Sequence, residues 1–167
     1  LEKTNTIPYQ HFASLDDVPD KYREILIKAR NALPMAYAPY SAFRVGACIL
    51  TRSGKWVIGI NVENASYPLC MCAERNAIAR LVSQEVQEVA VAIGIVADRQ
   101  DVRVSPCGAC RQVLAELEER QGVPLVVLFQ GEQGSYYKID RVTDILPFSF
   151  SSSSLPQPTT ILPVSGE

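Results

Sequence analysis

A single histidine, His11, is the chain's whole supply of the commonest metal-ligating and proton-transferring side chain. It stands far from every motif described below, so a histidine-rich metal centre is excluded. No apolar run approaches the roughly 20 residues of a membrane-spanning helix, and Leu1, Glu2, Lys3 and Thr4 do not begin the apolar stretch of a secretion signal. A cytoplasmic protein with no membrane partner is expected. No Met precedes Leu1, which leaves a removed targeting segment open. An excess of positive charge is missing too: 16 Lys and Arg stand against 18 Asp and Glu, a formal charge of -2, so there is no basic field to hold a phosphate backbone and no nucleic-acid partner is expected. The 167 residues are too few for two ordinary domains, and 47% hydrophobic with 20% charged residues excludes a disordered chain. One core is implied.

Residues 1–18 show no hydrophobic period and read as an irregular lead-in to a single domain over 19–155. From Pro19, the apolar positions Tyr22, Ile25, Leu26, Ala29 and Leu33 recur at helical spacing up to Pro34. Residues 45–51 and 56–62 are β-rich runs joined by Arg52-Ser53-Gly54-Lys55, which predicts a hairpin. Ala73, Ala77, Ile78, Leu81 and Val82 predict a second helix. Residues 88–96 are a nearly continuous apolar run suited to a strand covered on both faces. Pro106 opens a third helix, with Val113, Leu114 and Leu117 as its stripe, ended by Gly122; strands follow at 125–129 and 136–139. The order α-β-β-α-β-α-β-β predicts an α/β fold, a mixed sheet with helices on both faces. The Ser- and Pro-rich residues 156–167 read as an extended or disordered tail.

Five cysteines are an odd number, and four of them fall in two tight pairs, Cys70/Cys72 and Cys107/Cys110. That pattern favours a reducing compartment and metal or redox chemistry over a disulfide framework. In Ser105-Pro106-Cys107-Gly108-Ala109-Cys110 two thiols lie at i and i+3 on the first turn of a helix, on one face. The helix N-terminus, with its free N–H groups and partial positive charge, favours thiolates there. Alone, this pair reads equally as a redox couple, packed thiols or half a zinc site. Cys72-Ala73-Glu74, at the start of another predicted helix, shifts the balance. Tetrahedral zinc on Cys72, Cys107 and Cys110 keeps one position open, and Glu74 reaches that position without being a ligand. Adding Cys70 would instead make a closed four-cysteine structural site without chemistry. Three thiolates leave zinc with a charge of -1, so a cation is needed nearby, and Arg75 and Arg111 each follow a candidate site residue directly.

Several segments carry a resemblance in order and spacing. They are Ala36-Tyr37-Ala38-Pro39-Tyr40-Ser41-x-Phe43-x-Val45-Gly46-Ala47, Asn61-Val62-Glu63-Asn64-Ala65, Cys72-Ala73-Glu74-Arg75, the 105–112 segment ending Arg111-Gln112, and Leu146-Pro147-x-x-Phe150. From about residue 36 to 155 the chain resembles the short, homotetrameric cytidine deaminases. The resemblance implies a three-layer αβα sandwich around a five-stranded mixed sheet. It also implies zinc-dependent hydrolysis of cytidine and deoxycytidine to uridine and deoxyuridine with release of ammonia, a reaction of pyrimidine salvage, with one Zn2+ per subunit. It gives Cys72, Cys107 and Cys110 the metal, Glu74 the proton shuttle, and Arg75 hydrogen bonds to ligand thiolates. Phe43 would pack beside the pyrimidine, Asn61 and Glu63 would bind the ribose 3′-hydroxyl, and Ala73 would read the base through its backbone. Ala65, Tyr67 and Phe150 would serve sites shared with neighbouring subunits, and the substrate partner would be a free pyrimidine nucleoside. The competing readings are a same-fold deaminase of another aminopyrimidine nucleoside and the four-cysteine zinc module.

Overall fold

A computed structural model describes residues 2–85 and 87–156; the expectation for the tail lies outside the described residues from 157 onward. The elements are strand β1 (Gln10–Phe12), helix α1 (Asp20–Asn31), strands β2 (Val45–Thr51) and β3 (Trp56–Ile60), helix α2 (Ala73–Gln84), strand β4 (Ala90–Ala97), helix α3 (Gly108–Gln121), and strands β5 (Val126–Gln130) and β6 (Tyr136–Ile139). Pro34 falls in a short 3-10 turn, Leu33–Met35, just past α1, and the chain leaves α3 through Gly122 in the left-handed conformation.

The sheet has six strands in the order β1-β6-β5-β4-β2-β3. β4 and β5 are parallel, joined through α3, and every other neighbouring pair is antiparallel. Six strands replace the five expected, because residues 10–12 of the supposedly irregular lead-in pair with β6, Gln10 opposite Lys138 and Phe12 opposite Tyr136. The strand gives no hydrophobic signal for a physical reason. It is three residues long at the sheet edge, Gln10 and His11 are exposed, and only Phe12 packs against the core, so its contribution is almost entirely backbone pairing.

Helices cover both faces. On one, Ile25, Leu26 and Ala29 of α1 meet Cys48, Ala92, Val96 and Leu128; on the other, α2 and α3 meet Ala47, Ile49, Ile93, Ile95, Val127 and Phe129. From Ala92 to Ala97 successive residues of β4 alternate between these two cores, which is why its sequence is apolar throughout. Burial of each fully covered Ile or Leu contributes about 1.5–3 kcal/mol, so the two faces together fix the register of the central strands. α2 lies against β3 and β2, and its N-terminus comes beside that of α3. Among the described residues no helix is long and apolar enough to cross a membrane.

Candidate metal centre and active site

Two helix N-termini build the site. Cys72 is the extended residue immediately before α2, Cys107 holds the same place before α3, and Cys110 is the third residue of α3. Neither helix has a side-chain cap, so the free N–H groups of both first turns face this region without competition from a capping oxygen. The three sulfur atoms lie within 4.8 Å of one another, with Cys107 Sγ and Cys110 Sγ 3.5 Å apart. Zinc bound tetrahedrally to thiolates at about 2.3 Å spaces the sulfurs by roughly 3.8 Å, so this triangle fits the ion with little adjustment.

The charges agree. Arg75 Nη2 donates to Cys70 O at 2.9 Å and lies 3.7 Å from Cys72 Sγ, while the buried Arg75 Nε has no partner among the described residues. A guanidinium held this way suits thiolates rather than neutral thiols. The Cys72 thiol is pulled down to about 5, first by the hydrogen bond from Cys110 and then, against the opposing effect of burial, by Arg75. Cys110, as the donor in that pair, is pushed up. Arg111, the other candidate cation, is turned elsewhere: it donates to Pro106 O at 2.8 Å and Ile145 O at 3.1 Å.

Cys70 stands outside the triangle. Its sulfur accepts from Asn64 N at 3.2 Å and donates to Asn64 O at 3.6 Å, so the loop that follows β3 holds it, and the four-cysteine arrangement does not form.

Beside the sulfurs opens a cavity of about 490 Å3, in the range of small-molecule sites, whose walls include Phe43, Asn61, Glu63, Cys72, Ala73, Glu74 and Cys107. Glu74, on the first turn of α2, is 5% exposed, and burial is the main reason its carboxyl is pushed above the usual range. The Asn61 amide is largely engaged with backbone: its oxygen accepts from Val45 N and its nitrogen donates to Phe43 O, both at 2.8 Å. One amide N–H remains. Glu63 accepts from the backbone N–H groups of Tyr40 and Ser41 at 2.9 and 3.2 Å and from the Ser41 hydroxyl, which together hold its carboxyl below the usual range.

Ser41 is one of the wall residues that sequence reasoning passed over, with Val62, Met71, Val104 and Ser105; its place in the 36–47 segment was the available signal. The remaining expected contacts are not brought to this cavity. Ala65, Tyr67 and Phe150 are exposed, Tyr67 by 69% and Phe150 by 60%. Tyr67 faces Tyr40 across a second hollow of about 240 Å3 that adjoins the first at Ser41, Glu63 and Cys70.

The family model described as "Cytidine and deoxycytidylate deaminase zinc-binding region" matches residues 19–126. A cytidine deaminase of Halalkalibacterium halodurans is 43% identical over 134 residues, 80% of this chain and 97% of the relative. One from Mycobacterium tuberculosis is 37% identical over 135 residues, 77% of this chain and 89% of the relative. Among solved structures, the cytidine deaminase of Burkholderia pseudomallei superposes with a TM-score of 0.68 at 39% identity, covering 77% of this chain and 98% of its own. With a zinc-ready sulfur triangle, a buried glutamate beside it and this extent of likeness, the chain belongs to the zinc-binding cytidine deaminase family.

Proposed function

We propose that the protein hydrolyses the 4-amino group of cytidine and deoxycytidine, giving uridine or deoxyuridine and ammonia, as a step of pyrimidine salvage in the cytoplasm. The observation that carries this reading is Glu74, a buried carboxyl in the cavity wall two residues past Cys72. Cys72, Cys107 and Cys110 would hold the zinc, one per subunit, and the zinc would supply Lewis acidity to the attacking water. Glu74 takes a proton from the attacking water and places it on ring N3, then takes the remaining proton from the new hydroxyl at C4 and delivers it to the departing amine, so water and nucleoside become ammonia and uridine. Burial raises the Glu74 carboxyl above its usual range, which favours a group that must both accept and return a proton.

Phe43 packs beside the pyrimidine ring, the Ala73 backbone reads it, and Asn61 and Glu63 bind the ribose. The remaining Asn61 N–H is the donor available to a sugar oxygen. The Glu63 carboxylate repels a phosphate, so a free nucleoside is favoured over a nucleotide. The free thiols accord with a reducing compartment. The cavity stands open while Tyr67, Leu69 and Phe150 are exposed, and the closing walls come from neighbouring subunits of a homotetramer with closed symmetry.

Glu74→Gln tests the assignment. It should keep zinc and fold but lose at least about 100-fold in turnover, followed as the fall in absorbance when cytidine becomes uridine. An active, zinc-loaded Glu74→Gln protein would overturn it.

A further inference from the structure

The two residues after Cys110 make contacts that the reading above does not use. Arg111 holds the backbone on both sides of Cys107. Its amide donates to Cys107 O at 2.9 Å and its Nε donates to Pro106 O at 2.8 Å, so the peptide planes before and after the Cys107 Cα are tied to one residue. That fixes the direction in which the Cys107 side chain leaves the chain. The same guanidinium donates through Nη1 to Ile145 O at 3.1 Å, and the next residue, Gln112, donates through Nε2 to Phe150 O at 2.8 Å. The two carbonyls mark the ends of the 145–150 segment.

Little else shapes that segment. Ile145 is buried and Leu146 packs partly against the core, but Phe148 is fully exposed with a φ of 61° and Phe150 is 60% exposed. A phenylalanine in the left-handed region with no packing to hold it depends on its flanking tethers. Both tethers come from the helix turn that carries Cys107 and Cys110.

We propose that Arg111 and Gln112 are positioning residues coupling the three-cysteine centre to the 145–150 segment, so that zinc on Cys107 and Cys110 also orders the stretch that presents Phe150. The proposal rests on the functional reading above, in which Phe150 serves a neighbouring subunit's site. Arg111 acts on both ends of this link and Gln112 on one, so their variants should separate. Loss of Arg111 loosens the metal and the segment together; loss of Gln112 loosens the segment alone.

The test uses the zinc-loaded full chain as wild type and as Arg111→Gln, Arg111→Lys and Gln112→Ala. It measures zinc release to a chromophoric chelator, hydrogen exchange at residues 145–152, and steady-state cytidine turnover. Arg111→Gln should lose about 10- to 100-fold in zinc affinity, the usual effect of removing a group that orients a ligand, and should exchange faster over the segment. Arg111→Lys, which keeps the charge but not the planar fork that spans two carbonyls, should show a smaller loss of the same kind. Gln112→Ala should release zinc as wild type does, exchange faster near Phe150, and show a raised KM with kcat unchanged. Stripping zinc from the wild type should speed exchange over the segment while β4 stays protected. Unchanged zinc release and segment exchange in Arg111→Gln would overturn the coupling, and if that variant does not fold, the same result in Arg111→Lys would. Segment exchange indifferent to zinc in the wild type would overturn it equally. Wild-type protein without cytidine turnover would sink the functional reading instead, since zinc release and exchange decide the coupling without it.

Discussion

A methyl group added at Gly59 should cost the protein its metal before it costs the fold. Gly59 lies in β3 opposite Ala47 and beneath the first turn of α2; a Cβ there would sit 2.2 Å from Ala73 O, 2.4 Å from Ala77 N and 2.8 Å from Ala77 Cβ. Ordinary contact begins near 3.4 Å, and the obstacle is helix backbone, which cannot rotate aside. α2 must therefore retreat by about 1 Å, an overpacking strain of about 1–3 kcal/mol. For a chain of this size that lowers Tm by roughly 2–10 °C. The retreat also carries Cys72 and Glu74, on either side of Ala73, away from Cys107 and Cys110 on α3. Metal–ligand distances tolerate only about 0.2 Å, so the sulfur triangle opens several times beyond what zinc accepts. A misplacement of this size also costs about 100-fold in turnover. Gly46 supplies the control, because a Cβ there would lie 2.1 Å from Ala29 O, on α1 across the opposite face of the sheet. Gly46→Ala should lower Tm comparably and leave zinc in place. Thermal unfolding, zinc content after dialysis against a weak chelator, and turnover per bound zinc decide the matter. Equal zinc retention in the two variants would refute the claim that the β3–α2 contact sets the triangle.

Two further outcomes follow from the other cysteines. Cys70→Ser, whose hydroxyl can take over both bonds to Asn64, should retain full zinc by metal analysis and near-normal activity; loss of metal would restore Cys70 as a ligand. Burial pushes the fully covered Cys48 thiol up to about 12 from its ordinary 9.0, so its contribution to stability is complete below about pH 9 and is lost as pH rises from there through 12. Alkylation followed by mass spectrometry at pH 8 should therefore modify Cys48 far more slowly in the native protein than in urea, and equal rates would contradict its burial.

The sulfur triangle was legible because each half is local. A cysteine just before a helix and a second one turn later share a face whatever the rest of the chain does, and only their meeting needed the fold. β4 was legible because both faces are covered, which leaves a run of apolar residues that reads the same from either side. β1 was not, since it contributes backbone pairing and one partly buried side chain. Helix position alone did not separate Arg75 from Arg111, each following a site residue near a helix start; only the family resemblance singled out Arg75. Packing separates them: the 142–145 turn offers Arg111 a carbonyl to bind, while the segment before α2 offers Arg75 the Cys70 carbonyl beside the Cys72 sulfur. Asn61 suited either a backbone brace or a ligand contact. Two of its polar positions brace the backbone and one N–H remains, so the structure accommodates both uses.

The choice of sulfur over imidazole shapes the rest of the site. Neutral histidine ligands leave zinc its full +2 charge, whereas three thiolates bring the cluster to -1 and weaken it as a Lewis acid. A chain whose only histidine lies on an edge strand has to recover that acidity from its surroundings. Two helix N-termini, each equivalent to about half a positive charge, and the Arg75 guanidinium at 3.7 Å from Cys72 Sγ would supply it to a zinc held there. The convergence of α2 and α3 is thus an electrostatic requirement of the ligand set as well as a packing outcome. It also accounts for the placement of Glu74. A carboxylate on the first turn of α2 gains from the helix dipole and loses by burial beside sulfur. The balance lies with burial, which leaves its carboxyl raised.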